Sequence, residues 1–215
     1  MRPMTELKPD TDEQLLTARG RAKADRRRQL LQAAARLVAE RGFNGVRLED
    51  LGAAVGISGP AVYRHFPNKD ALLVELLVDI SRRLLAGGTD VIDHTDEPRR
   101  ALDRLVDFHL DFALGEPDLI RVQDRELQSL PEDASREVRQ TQRRYVELWV
   151  GVLRRLDPAL GESDARTMAH AAFGLINSTP HSADRASPAA TRAVLRRMTL
   201  AALGADRPGT AASGT

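Results

Sequence analysis

At 215 residues, 42% hydrophobic and 29% charged, with a formal net charge of +1, the chain has the composition of a soluble protein made of one medium domain or a small domain joined to a larger one. It contains no cysteine, which excludes disulfides, thiolate metal sites and a cysteine nucleophile, and suits a reducing cytoplasm. No apolar run approaches the roughly 18–20 residues needed to span a bilayer, and the polar, acidic N-terminus is unlike a signal peptide, so the expected location is cytoplasmic with no membrane partner.

Residues 1–18 lack helical periodicity and are expected to form a disordered arm. From Arg19 to Lys69 there are 11 Lys and Arg against 4 Asp and Glu, a net of +7, so the remainder sums to −6. A basic head on a mildly acidic body fits phosphate attraction; a solvated helix face is the plain alternative. The basic residues are 29 Arg and only 3 Lys, so Lys69 is not drawn from a common pool. Spacing at i, i+3 and i+4 recurs along the chain and nothing favours strands. A first helix is expected over about Ala22–Glu40, with Leu30, Leu31, Ala34, Leu37 and Val38 on one face and Gly42 ending it. A second covers about Leu48–Val55, Gly56 supplies a turn, and Ser58 caps a third over Gly59–His65, with Pro60 in its first turn. A fourth begins after Asn68 and carries Leu72, Leu73, Leu76, Leu77, Ile80 and Leu84. Gly87-Gly88 and the acidic stretch TDVIDHTDEP mark its end. Helices near Pro98–Leu114, Pro117–Ser129, Glu132–Leu156, Ser163–Asn177 and Pro188–Leu203 follow, and residues 205–215 read as a flexible tail. The fold class is therefore all-α, about nine helices. The expected divisions are an arm at 1–18, a small helical domain at 19–69, a larger one at 70–204 and the tail.

The second and third helices have the makings of a helix-turn-helix. Such a pair needs a small residue in its first helix, Gly four positions later at the turn and a buried aliphatic in the second; Gly52, Gly56 and Val62 fit these places. Gly52 gives up to about 1 kcal/mol of helix propensity relative to Ala. The segment that follows reads Y-x-H-F-x-N-K-x-x-L from Tyr63 to Leu72.

With that segment the chain resembles the TetR family of bacterial transcriptional regulators, specifically from about Arg26 to Leu77 and architecturally beyond. The resemblance implies an N-terminal three-helix DNA-binding domain joined to a larger helical ligand-binding and dimerisation domain. It also implies a homodimer that acts on a palindromic double-stranded operator, as a repressor relieved by a small-molecule effector. Its third helix would enter the major groove. Tyr63 and His65 would be backbone contacts, Lys69 would grip a phosphate at the start of the fourth helix, and Phe66 would be structural. Ser58, Gly59, Pro60, Ala61 and Arg64 then face the bases or their edge, Arg64 foremost because guanidinium matches two acceptors of guanine. Arg47 stands where the family places a capping Thr or Ser, and a cation at that helix start makes sense beside a phosphate. Glu49 could accept from cytosine or be surface. The run RGRAKADRRR, with six basic residues in ten, fits a nonspecific electrostatic role.

In the body, Phe108, Phe112, Tyr145, Trp149 and Phe173 lie on three expected helices, with His109, Gln142, His170 and Asn177 on or beside those faces. Together they suit an effector pocket, although each alone also fits core or surface. Arg121 and Arg125, near Glu126, could anchor an anionic ligand or form an ion-paired surface helix. That segment and the Y-x-x-x-W stripe at 145–149 are similar to actinobacterial regulators of lipid and acyl-CoA metabolism, which implies an effector of that type. The last two helices carry Met168, Ala172, Phe173, Leu175, Ile176, Val194, Leu195, Met198 and Leu200, small and apolar residues that suit pairing across a twofold axis.

An enzyme is the competing class. The chain has no P-loop, dinucleotide fingerprint, nucleophile elbow or paired metal-binding histidines, and no cofactor is expected. Asp90, Asp93, His94 and Asp96 form an acidic stretch that reads as solvated, with no metal expected. A helical protein–protein adaptor is the third class, and salt-dependent binding to duplex DNA separates the three.

Overall fold

The computed structural model describes residues 11–182 and 187–204. Among them every regular element is helical: α1 (Thr11–Arg41), α2 (Leu48–Val55), α3 (Gly59–Tyr63), α4 (Lys69–Asp93), α5 (Pro98–Gly115), α6 (Pro117–Glu126), α7 (Glu132–Leu156), α8 (Glu162–Ile176), α9 (Thr179–Ser182) and α10 (Pro188–Ala202), with 3-10 turns at Phe43–Gly45 and Leu127–Ser129. The nine expected helices are all present, and the single turn α9 is additional. Contacts divide the chain into two units, one up to Leu72 and one from Leu73, with the division inside the first turn of α4.

Three local readings need correction. Helix α1 begins at Thr11, not near Ala22, so residues 11–18 of the expected arm are helical. The stretch is rich in Glu, Gln, Leu, Ala and Arg, all good helix formers. A polar helix has no apolar stripe to reveal it. Residues 1–10 and 205–215 lie outside the described residues. Helix α4 runs through Gly87 and Gly88 to Asp93. A Cβ on Gly87 would stand 2.2 Å from the Phe108 ring, and one on Gly88 2.6 Å from the Tyr145 ring, so this pair lets α5 and α7 aromatics lie against α4 instead of breaking it. Ser58 occupies the N-cap position of α3, but its side chain makes no capping bond.

In the first unit, Leu30, Ala34, Leu51, Val62 and Phe66 are completely buried, the apolar set that the spacing picks out. Gly56 at φ 71° ends α2 in the left-handed region, and Ile57 N–H reaches back to Gly52 O at 2.9 Å. Asn68 caps α4 through Oδ1, which accepts from Ala71 N–H at 2.7 Å.

The second unit is built round Trp149, fully buried with Leu102, Leu105, Leu110, Leu153 and Ile176. Helix α10 is tied to α5 by an ion-pair ladder in which Arg192 and Arg196 share Asp107 at 3.1 and 3.0 Å and reach on to Asp111 and Asp103.

Gly52 carries a consequence for stability. An alanine inside a helix ordinarily gains up to about 1 kcal/mol over glycine, yet a Cβ here would sit 2.8 Å from Ile57 O and 3.1 Å from Val62 Cγ2. Gly52→Ala should therefore lower stability by about 1–3 kcal/mol, as overpacking does. Gly20→Ala, with nothing within 4 Å, should leave it equal or higher. Urea titration followed by circular dichroism reads both, and equal gains for the two variants would contradict the close approach.

Candidate nucleic-acid interface and effector cavity

In the first unit, α3 follows the αL turn at Gly56 and is fixed by Val62, whose carbonyl accepts from His65 N–H and Phe66 N–H at 2.8 and 3.0 Å. This leaves Ser58, Pro60, Tyr63 and Arg64 exposed, with Gly59 and Ala61 half-buried. Arg64 has no hydrogen bond or ion pair to another described residue. Tyr63 is 49% exposed and donates its hydroxyl to Glu49 Oε1 at 3.3 Å; the Glu49 carboxylate also holds the phenol above its ordinary pKa range. Glu49 is thus engaged within the motif, and its Cγ lies 3.2 Å from where a Gly59 Cβ would be. At Arg47 the cap is half retained. A guanidinium accepts nothing, but Asp50 accepts from Arg47 N–H at 2.9 Å, one arm of a capping box. The Arg47 side chain is exposed.

Lys69, at the first position of α4, points its ammonium at Phe43: Nζ is 2.9 Å from the carbonyl oxygen and 4.4 Å from the ring centroid. His65 is half-buried and its Nδ1 is buried without a partner. Burial, then the positive charges of Arg27, Lys23, Arg26 and Arg64, lower its pKa.

The basic run is not uniform. Arg26 donates to Val55 O at 3.0 Å, in the last turn of α2, and Arg27 donates to His65 O while its guanidinium lies 4.4 Å above the Phe66 ring. These two arginines hold carbonyls that the short helices cannot satisfy themselves. Sequence reasoning assigned them to general electrostatics, because charge counts do not distinguish a guanidinium on a carbonyl from one in water.

The second unit holds a partly open cavity of about 200 Å³ between α4, α5, α6, α7 and α8. Of the eleven residues expected for an effector pocket, His109, Phe112, Gln142, Tyr145, His170, Phe173 and Asn177 line it. Ser81 and Gln123 add polar groups, and Leu84, Ile120 and Val146 add apolar wall. Phe108 is spent against Gly87, and Trp149 lies behind the wall with its ring 4.9 Å from Phe173. Arg121 and Arg125 do not reach the cavity. Arg121 pairs with Asp118 at 3.3 Å and donates to Pro180 O, and Arg125 pairs with Glu126 at 2.8 Å. Gln123 lies between those two arginines in sequence, on the inward face with Ile120, and sequence reasoning passed over it because arginines are the louder signal.

Across the cavity a hydrogen-bonded chain joins three helices. His109 Nε2 faces Asn177 Oδ1 and its Nδ1 faces the Tyr145 hydroxyl, both at 3.1 Å. Asn177 Oδ1 is an acceptor, so the proton belongs on Nε2 and Tyr145 donates to Nδ1. Burial lowers His109 to a pKa of about 4, against the opposing bond to Asn177, and burial raises that of Tyr145. Both are neutral at pH 7. No group of three or more His, Asp or Glu among the described residues is arranged to hold a metal ion.

These features define a helix-turn-helix protein with a second, cavity-bearing helical unit. Residues 30–76 match the model for bacterial regulatory proteins of the tetR family, and residues 95–181 match the tetracyclin repressor-like C-terminal domain. The chain belongs to the TetR family. It is 28% identical over 151 residues to the HTH-type transcriptional regulator EthR of Mycolicibacterium smegmatis, covering 67% of this chain and 64% of EthR. It is 33% identical over 133 residues to the HTH-type transcriptional repressor KstR2 of Mycobacterium tuberculosis, covering 60% and 64%. The chain thus spans 64% of the length of each of these curated relatives. The solved ketosteroid transcriptional regulator KstR2 of Mycobacterium tuberculosis shares the fold at a TM-score of 0.72 and 22% identity, over 83% of this chain and 93% of that one. AibR, solved with isovaleryl coenzyme A and operator DNA, shares it at 0.68 and 17%, over 82% and 97%. Among the described residues no helix is long and apolar enough to cross a membrane.

His109 makes stability depend on pH. Its folded pKa lies below the ordinary 6.5, so the unfolded chain takes up the proton first. The His109 contribution is complete above about pH 6.5 and is lost as pH falls toward 4, by up to about 3 kcal/mol. Urea midpoints should fall over that window, and His109→Gln should flatten the fall; an unaltered slope would place the titrating group elsewhere.

Proposed function

We propose that this chain is a cytoplasmic, ligand-responsive repressor, not an enzyme, that binds a palindromic operator as a homodimer. The observation that carries the reading is the exposed, unpartnered Arg64 on the outer face of α3, flanked by Tyr63 and Lys69 in a segment of net charge +7. Arg64 reads a base edge, most simply guanine, with Ser58, Gly59, Pro60 and Ala61 allowing close approach. Tyr63, His65, Lys69 and Arg47 hold phosphates. On binding, Tyr63 exchanges Glu49 for a phosphate oxygen, and Lys69 approaches one while its remaining N–H donors stay near Phe43 O.

The effector occupies the cavity of the second unit. The names of KstR2, a ketosteroid regulator, and of the AibR complex with isovaleryl coenzyme A support a ligand from lipid or acyl-CoA metabolism. Helix α4 begins with Lys69 and carries Ser81 and Leu84 on the cavity wall, so one helix serves both functions. The effector relieves repression if it binds two conformations of the body with different affinity.

A second copy covers the outer face of α8 and α10. There Leu175, Ala190, Thr191, Val194, Leu195 and Met198 line a shallow apolar groove, with Val194 and Met198 42% and 49% exposed. Light scattering at micromolar concentration should give a dimer, and Val194→Glu combined with Met198→Glu should give a monomer. A monomeric parent would remove the twofold basis for a palindrome.

Titrating DNA fragments that carry the chain's own upstream sequence tests the interface. Lys69→Ala should weaken every fragment similarly and reduce the salt dependence, whereas Arg64→Ala should flatten the preference among fragments. Arg27→Gln should instead lower the DNA-free stability of the chain, by about 1–3 kcal/mol. Equal loss of preference in the Lys69 and Arg64 variants would overturn the division between holding and reading.

A further inference from the structure

We infer that the cavity of the second unit takes a compact, uncharged group bearing a carbonyl, and rejects the matching carboxylate. This deepens the proposed function and rests on its reading of the cavity as the effector site.

The donors decide the chemistry. The wall of the cavity contains no Asp, Glu, Lys or Arg. Arg121 and Arg125, which flank Gln123 in sequence, are committed to Asp118, Pro180 and Glu126. His109 is buried on the wall, and both its nitrogens are engaged, by Tyr145 and Asn177, so the imidazole has no atom to offer a ligand. Ser81 is spent as well, donating to Leu77 O at 2.9 Å. What remains is amide, together with the exposed imidazole of His170. Among the described residues Gln123 and Gln142 have no hydrogen-bond partner, and Asn177 uses only Oδ1, leaving its N–H donors unclaimed. The Tyr145 hydroxyl donates its hydrogen bond to His109 and presents lone pairs. A site of neutral N–H donors and apolar walls pairs with a carbonyl oxygen. Its wall carries no Lys or Arg to pair with an anion, whose burial is costly unless it is paired.

Size sets the second limit. A dry cavity of about 150 Å³ holds one benzene ring, so about 200 Å³ holds one ring or a short branched chain with its carbonyl. A four-ring steroid skeleton exceeds this volume and would project from the cavity. Two sources can present such a group: a free ester, ketone, lactone or amide, and a short acyl thioester whose charged carrier stays outside.

Trp149, the chain's only tryptophan, lies 4.9 Å from the Phe173 ring on the wall and reports occupancy by its emission. Four probes of the full chain at about pH 8 separate the outcomes: methyl benzoate, benzoate, benzoyl coenzyme A and progesterone. The expected result is a saturable change with methyl benzoate and binding of benzoate weaker by about 100-fold or more. Gln142→Leu and Asn177→Leu should each weaken the ester about tenfold. Benzoyl coenzyme A binding more tightly than the ester identifies the thioester as the source; binding more weakly identifies a free compound, and both support the inference. Benzoate binding as tightly as its ester, progesterone binding more tightly than the ester, both amide variants binding the ester unchanged, or no saturable change with any probe would overturn it. Operator affinity measured with saturating ester separates the two readings. Charge selectivity without operator release leaves the cavity chemistry standing and sinks the effector reading.

Discussion

Both units depend on one constraint: helix backbones must approach more closely than a Cβ allows. At Gly52 the missing methyl admits Ile57 O and Val62, which sets the tight pairing of α2 with α3. At Gly87 and Gly88 it admits the rings of Phe108 and Tyr145. Each glycine sacrifices helix propensity of order 1 kcal/mol, and the sacrifice is local while the benefit is geometric. In the first unit it presents α3 with its outer face bare. In the second it seats Tyr145 against α4, from where its hydroxyl meets His109 and forms one side of the cavity.

Close approach leaves polar debts, and the arginines settle them. Short helices such as α2 and α3 end with carbonyls that their own turns cannot satisfy. Arg26 takes Val55 O and Arg27 takes His65 O, both from α1. Arg27 also stacks on Phe66, the completely buried plug of the small core, so a planar guanidinium suits the site better than an ammonium. The strongly basic segment therefore divides into cations that build the reading head and cations that face outward from it. Only the second group is available to phosphates, and the charge count of +7 overstates its strength.

Much of this was legible before any coordinates. Apolar spacing located nine helices because burial imposes the 3.6-residue period directly on side-chain type. The first turns of α1 escaped because the sequence there shows no apolar period. Gly87-Gly88 read as a breaker because sequence shows a glycine's cost but not the ring that occupies the space. Seven of the eleven residues expected for the pocket line the cavity, since amphipathic faces fix which way a helix points. Arg121 and Arg125 did not, because a cation's partner is a tertiary fact. So is the chain Tyr145–His109–Asn177, whose bonds join residues 36 and 68 positions apart.

That chain has a consequence for how a bound group could be felt. Tyr145 lies on α7, His109 on α5 and Asn177 at the C-cap of α8, so two hydrogen bonds tie three helices at the cavity wall. With His109 neutral, each bond has a fixed donor and a fixed acceptor. A ligand carbonyl taking an Asn177 N–H polarises the same amide whose oxygen holds His109, and strengthens the tie. A ligand that needed the oxygen instead would have to break it. Between two helix arrangements that differ in this network, the first kind of ligand favours the intact one and the second the broken one, and only such a difference in affinity can shift the equilibrium. Which arrangement a ligand would favour thus depends on which atom of one asparagine it claims.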